Sequence, residues 1–142
     1  MSERNKQVAV QFVEAMGQND AERFAETLAP DAVAIAMGTT NFAGKRNRDM
    51  MIGGIEAFKQ ILPKGLQFTV KGAIADGDKV AVEAQGNGTT SDDKAYHNNY
   101  VFVVTLRDGL IVNVNEYFCT KLADAVLWPL VAGSGGLDQT VD

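Results

Sequence analysis

Cysteine and histidine are each present once in this 142-residue chain, as Cys119 and His97, and proline only three times. One cysteine cannot close an intrachain disulfide, and one cysteine with one histidine cannot supply a zinc ligand set. No apolar run approaches the roughly 18 residues that a membrane-spanning helix needs. The opening stretch Met1 to Gln7 is polar, without the apolar core of a signal peptide, so a cytoplasmic location is expected. Basic charge is also short: 13 Lys and Arg face 18 Asp and Glu, giving a net charge of -5 and a pI near 4.8. Phosphate backbones and anionic membranes are bound by clustered Lys and Arg, so neither nucleic acid nor a membrane surface is the expected partner. No metal and no cofactor is expected. A hydrophobic small molecule suits this composition, met either by cofactor-free chemistry or by plain binding.

The residues present describe one domain, expected over 1–132, with a flexible Gly-rich tail over 133–142. Val8, Phe12, Val13 and Met16 have helical spacing, and Gly17 with Asn19-Asp20 supplies a stop and a new N-cap for a second helix over 21–28. A short extended run follows over 32–37. The polar stretch 38–48, with Lys45, Arg46 and Arg48, reads as a solvated loop in preference to a basic trio screening an anionic substrate group at a pocket mouth, and Asp49 as the cap of a third helix carrying Met51, Ile55 and Phe58. Leu66 to Ala75 and Lys79 to Gly88 alternate around Asp76-Gly77-Asp78 as a hairpin. Two longer strands, Tyr96 to Leu106 and Leu110 to Cys119, flank Asp108-Gly109, a two-residue hairpin signal. Four strands in series make a meander, and Leu122 to Leu130 a final short helix interrupted by Pro129. Helices followed by antiparallel strands mean an α+β fold with helices on one face of a curved sheet.

Chemistry concentrates in the last hairpin. Two-residue alternation places Leu110, Val112, Val114, Glu116 and Phe118 on one face, which sets a single carboxylate among apolar neighbours. Desolvation there raises a carboxyl pKa toward neutrality, where a base removes a proton next to a carbonyl most usefully. Asn98 and Tyr100 share phase with Tyr96 and Phe102 and offer amide and hydroxyl donors for an enolate oxygen. Glu116, Tyr100 and Asn98 are therefore the candidate catalytic residues. Val13, Met16, Met37, Phe58, Ala84, Gly86, Phe102 and Val114 are the candidate pocket wall, with Gly86 leaving open space beside a ligand. His97, Asn99 and Glu83 point outward, and Asp76, Asp78, Asp92, Asp93 and Asp108 are explained as turn residues. Gly86 and Gly88 lack the strand-to-helix setting of a phosphate loop.

The order of elements, the Asn19-Asp20 break and the pattern Tyr96-x-Asn98-x-Tyr100, Asp108-Gly109-x-Ile111, Glu116-Tyr117-Phe118 resemble the nuclear-transport-factor-2-like superfamily, in its SnoaL-like branch. The resemblance implies a cone-shaped α+β barrel around a hydrophobic pocket, and homodimers paired through the outer sheet face. It also implies that Glu116 stands where relatives carry a pocket carboxylate that moves protons in cyclases. Other parts of the relatives' machinery are replaced. Ala84 and Gly86 stand at the Arg-x-Asp of the epoxide hydrolases, and Ala34 and Ala36 at their Tyr-x-Asn, which argues against epoxide hydrolysis. Phe102 stands near the cyclase histidine, and Val13 or Met16 near the isomerase tyrosine. Two functions stay open: a cofactor-independent isomerase, cyclase or lyase acting on a hydrophobic carbonyl compound, or a binding or accessory protein without turnover.

Overall fold

The computed structural model describes residues 2–132 and 136–142. Its first element, helix α1 (Ser2–Gly17), buries Asn5, Ala9, Phe12 and Val13 along one stripe, as the 3.6-residue period requires. Its end is a Schellman motif: Asn19 takes φ 56°, its N–H donates to Met16 O, and the Asp20 N–H donates to Ala15 O. Asp20 then caps α2 (Ala21–Ala25) by accepting from the Arg23 N–H. This helix is shorter than expected, because Leu28 already begins strand β1 (Leu28–Ala36). Gly17 is required by close approach. A Cβ there would lie 2.3 Å from Leu66 O, whose own N–H donates to Gly17 O.

The expected loop over 38–48 contains a strand, β2 (Gly44–Asn47), paired antiparallel with β1. Asn47, rather than Asp49, caps helix α3 (Arg48–Ile61) by accepting from the Met50 N–H. Four strands follow in series: β3 (Gln67–Asp76), β4 (Lys79–Thr89), β5 (Ala95–Arg107) and β6 (Leu110–Phe118). The Asp108-Gly109 turn has φ 53° and 80°, the two positive values of a type I′ hairpin whose twist suits its strands. Helices α4 (Thr120–Val126) and α5 (Trp128–Val131) complete the elements, with Pro129 in the first turn of α5 where its missing N–H costs nothing.

The sheet has six strands in the order β2-β1-β6-β5-β4-β3. It is mixed rather than wholly antiparallel, since β1 runs parallel to β6. Its register is irregular in three places: between Leu28 and Val33 where β1 meets β6, at Lys71, the extra residue between the pairs Val70↔Ala84 and Gly72↔Glu83, and at Val112 between Leu106↔Ile111 and Thr105↔Asn113. The last one corrects the face expected for β6. Ile111, not Leu110, is the buried residue at that end, and the inward phase resumes at Val114 and Glu116. Helices and the concave face bury one core around Phe12, which stacks on Phe24 at 4.9 Å and meets Phe102 edge-on at 6.1 Å. Truncating such a ring costs about 3–5 kcal/mol. A second cluster joins Phe42, Leu62, Tyr96, Leu127 and Leu137.

Of the tail expected over 133–142, residues 133–135 lie outside the described residues. The remainder packs against the domain: Leu137 is buried, the Val141 N–H donates to Lys45 O at 2.8 Å, and Thr140 sits against Gly44. Its Gly and polar composition masks one apolar anchor, Leu137, whose burial offsets the cost of ordering a short segment. Among the described residues no helix is long and apolar enough to cross a membrane.

Candidate functional site

Between α3 and the concave end of β1, β5 and β6 lies a cavity of about 120 Å³, lined in part by Met51, Ile55, Phe58, Phe68, Phe102 and Leu137. At about 30 Å³ for each, a volume of that size holds about four waters, or one small ring. The space exists because the inward residues of β1 are small. Ala34 and Ala36 form its floor between β2 and β6, where larger side chains would fill it.

Glu116 stands in this floor. It pairs with Ala36 on one side and Phe102 on the other, and its side chain accepts no hydrogen bond among the described residues. Desolvation by the surrounding protein pushes its carboxyl up to about 7, against a smaller downward pull from Arg46. At neutral pH it is therefore shared between acid and base forms.

Tyr100 lines the same cavity, one strand over and diagonal to Glu116. The Asn98 side chain accepts at Oδ1 from the Asn99 and Cys119 N–H groups, and donates from Nδ2 to Cys119 O and to Tyr96 Oη at 2.7 Å. These four contacts fix the amide orientation. Tyr96 Oη in turn lies 2.7 Å from Tyr100 Oη. Either hydroxyl can donate in this contact, and both residues line the cavity. In the arrangement in which Tyr96 donates to Tyr100, the Tyr100 proton is free for a cavity occupant. Burial first, then Tyr96 and Glu116, hold the Tyr100 phenol well above its usual pKa, so it acts as a donor and not as a phenolate. The ring itself is held by Phe102, stacked at 5.6 Å, and by Phe68, edge-on at 5.3 Å.

The charged partner of Glu116 is a residue expected on a solvated loop. Arg46 lies on β2 opposite Ala34, half-buried, and lines the cavity. Its guanidinium is anchored by donation to Phe42 O at 2.9 Å and Leu137 O at 2.8 Å. Desolvation lowers its pKa, while Glu116 and Asp138 act the other way. Because Gly44–Asn47 is short, polar and without an alternating pattern, only the charge trio marked the place. Lys45 and Arg48 are not among the cavity residues, and Arg48 donates to Ala25 O.

Glu116, Tyr100, Met16, Phe58 and Phe102 meet at the cavity as expected from sequence. Asn98 does not reach it and donates instead to Tyr96 Oη. Val13, Ala84 and Val114 are sealed in the core below the wall, and Met37 is half-buried past the end of β1 with its N–H on Glu116 O. Gly86 opens no space for a ligand: a Cβ there would meet Phe68 at 3.0 Å and Tyr100 at 3.3 Å, so the missing side chain admits those two rings. His97 and Glu83 are exposed, and His97 Nδ1 lies 2.6 Å from Asn87 Oδ1.

No curated protein sequence matches the chain. Solved structures match its fold. An NTF2-like protein from Burkholderia xenovorans LB400 is 20% identical over 89% of this chain and 97% of that one, with a TM-score of 0.71. An NTF2-like protein of unknown function from Burkholderia pseudomallei K96243 is 18% identical over 87% and 97%, with a TM-score of 0.76. An LEH-like epoxide hydrolase from M. tuberculosis is 18% identical over 92% and 95%, with a TM-score of 0.73. At such identities these likenesses carry the fold and no activity. The model of the SnoaL-like domain matches residues 9–114, most of the helices and sheet that build the cavity, and the chain belongs to the SnoaL-like family of the NTF2-like superfamily.

Proposed function

We propose that this protein transfers a proton within a small hydrophobic carbonyl compound, without a cofactor, with Glu116 as the base and Tyr100 as the donor to the carbonyl oxygen. The observation that carries the reading is that Glu116, its carboxyl pushed up to about 7, and Tyr100, a phenol held in its neutral donor form, line one cavity wall. A base poised near ambient pH contributes roughly 10²–10⁴ in rate, and one oxyanion donor roughly 10²–10³. Asn98 is a positioning residue, directing Tyr96 and through it Tyr100. The apolar wall excludes water and strengthens both polar contacts.

The test is deuterium uptake from D₂O next to the carbonyl of phenylacetone, a one-ring ketone, followed by proton NMR. Uptake should be lost with Glu116→Gln and reduced with Tyr100→Phe. A second reading, binding without turnover, draws on the absence of any hydrogen bond that orients Glu116. It predicts a thermal shift with the ketone and no uptake.

The outer sheet face supports pairing of two copies. Ile74 on β3, 76% exposed, lies in register with Ala81 on β4 and the half-buried Val103 on β5, and the half-buried Val101 pairs with Tyr117 on β6, 42% exposed, giving apolar groups beside the exposed Glu83 that a second copy would cover.

A further inference from the structure

We propose that Arg46 is an anion-holding residue of the cavity, and that the occupant is a small hydrophobic organic acid whose carboxylate sits at Arg46 with the rest of the molecule against Tyr100 and Glu116. The inference rests on reading the Glu116 cavity as the ligand site, and it goes beyond proton transfer by naming the ligand's second functional group.

A guanidinium taken out of water is expensive unless it is paired. Arg46 lines a largely apolar cavity, and its two bonds go to neutral carbonyls, those of Phe42 and Leu137. A guanidinium has five N–H donors, and those bonds occupy two nitrogens once each. Among the described residues no carboxylate comes within 4.0 Å of it. The remaining donors are thus available to an oxygen pair entering the cavity, the geometry in which Arg outperforms Lys.

Among the described residues, two acids act on Arg46, Glu116 and Asp138. Glu116 faces it across Ala34 and Ala36 from β6; Asp138 approaches from the segment after α5 and is exposed, hence screened by solvent; Tyr96 and Tyr100 on β5 are neutral. No other acid influences it from α3. Carboxylate binding therefore depends on Glu116. When Glu116 is protonated the cavity carries one positive charge and attracts an anion. When it ionises the attraction is largely cancelled.

The experiment uses the full chain and two isosteric probes, phenylacetate and 2-phenylethanol, with dissociation constants measured by calorimetry at pH 6 and pH 8. The expected result is at least tenfold tighter binding of phenylacetate at pH 6, a several-fold loss of that preference at pH 8, and no pH effect on the alcohol. Glu116→Gln should keep the acid preference and remove its pH dependence. Arg46→Met should abolish the preference, and Arg46→Lys should keep part of it. Equal affinities for the two probes in the wild-type protein, or tighter binding of the alcohol, would overturn the proposal even if the Arg46 variants fail to fold. So would the absence of measurable phenylacetate binding at millimolar concentration. The ketone exchange assay fails or succeeds separately: acid preference without exchange removes the proton transfer and leaves this inference standing.

Discussion

Arg46 and Glu116 face one cavity from strands that are not neighbours, kept apart by Ala34 and Ala36 on the strand between them. Each perturbs the other, yet they do not form an ion pair among the described residues. Two alanines at inward positions hold the charges at a distance and leave room for a third group. Site and vacancy have the same cause, the small side chains of β1.

Stability should fall as pH rises through the acid range into neutrality. Glu116 titrates near 4.5 when unfolded and at about 7 when folded, so between those values the native state holds a proton that the unfolded chain has lost. Stability then falls with increasing pH across that window, by the linkage between proton uptake and folding. Allowing for the partial solvent access of the side chain, the effect is about 1–2 kcal/mol. Glu116→Gln should flatten this part of the profile and melt above the wild type at pH 8. Chemical denaturation at pH 5 and pH 8 measures both.

Tyr100→Phe should lower turnover about a hundredfold while costing only about 1 kcal/mol in stability, because it removes one cavity hydroxyl and the hydrogen bond it shares with Tyr96. Asn98→Ala is the opposite case. It strips partners from Cys119, Asn99 and Tyr96 at a buried site and should cost about 2–4 kcal/mol. Its residual activity should keep the wild-type pH midpoint, since Glu116 is untouched. Urea melts and pH–rate profiles of the two variants separate the roles.

Val101→Lys places a charge in the middle of the outer apolar strip, between Glu83 and Tyr117 in register. Light scattering should give the mass of two chains for the wild type and of one for the variant, with the melting temperature of the dilute variant lowered by the loss of association.

How much of this was legible in the sequence depended on whether the signal was local. Asp108-Gly109 carries its own turn, and the alternation of Tyr96, Asn98, Phe102, Val104 and Leu106 survives as burial in β5. Glu116 was found by the same period, although the extra residue Val112 shifts the phase upstream, so Leu110 lies on the wrong face. Such a bulge shows only when the partner strand is known. Arg46 was hidden for a related reason: β2 is four residues of Gly, Lys, Arg and Asn, and pairing with β1 alone makes it a strand. The parallel contact of β1 with β6 joins distant parts of the chain, beyond the reach of periodicity. Asn98 was correctly placed inward, but its four hydrogen bonds assign it to the fold and not to the ligand.

The central claim is that Glu116 moves a proton in this cavity, and the pH dependence of deuterium uptake into phenylacetone tests it most directly. The account predicts uptake that rises with pH through a midpoint near 7, as the base form of Glu116 accumulates, and that falls at least a hundredfold in Glu116→Gln. Uptake no faster than in buffer, or unchanged by Glu116→Gln, would contradict it.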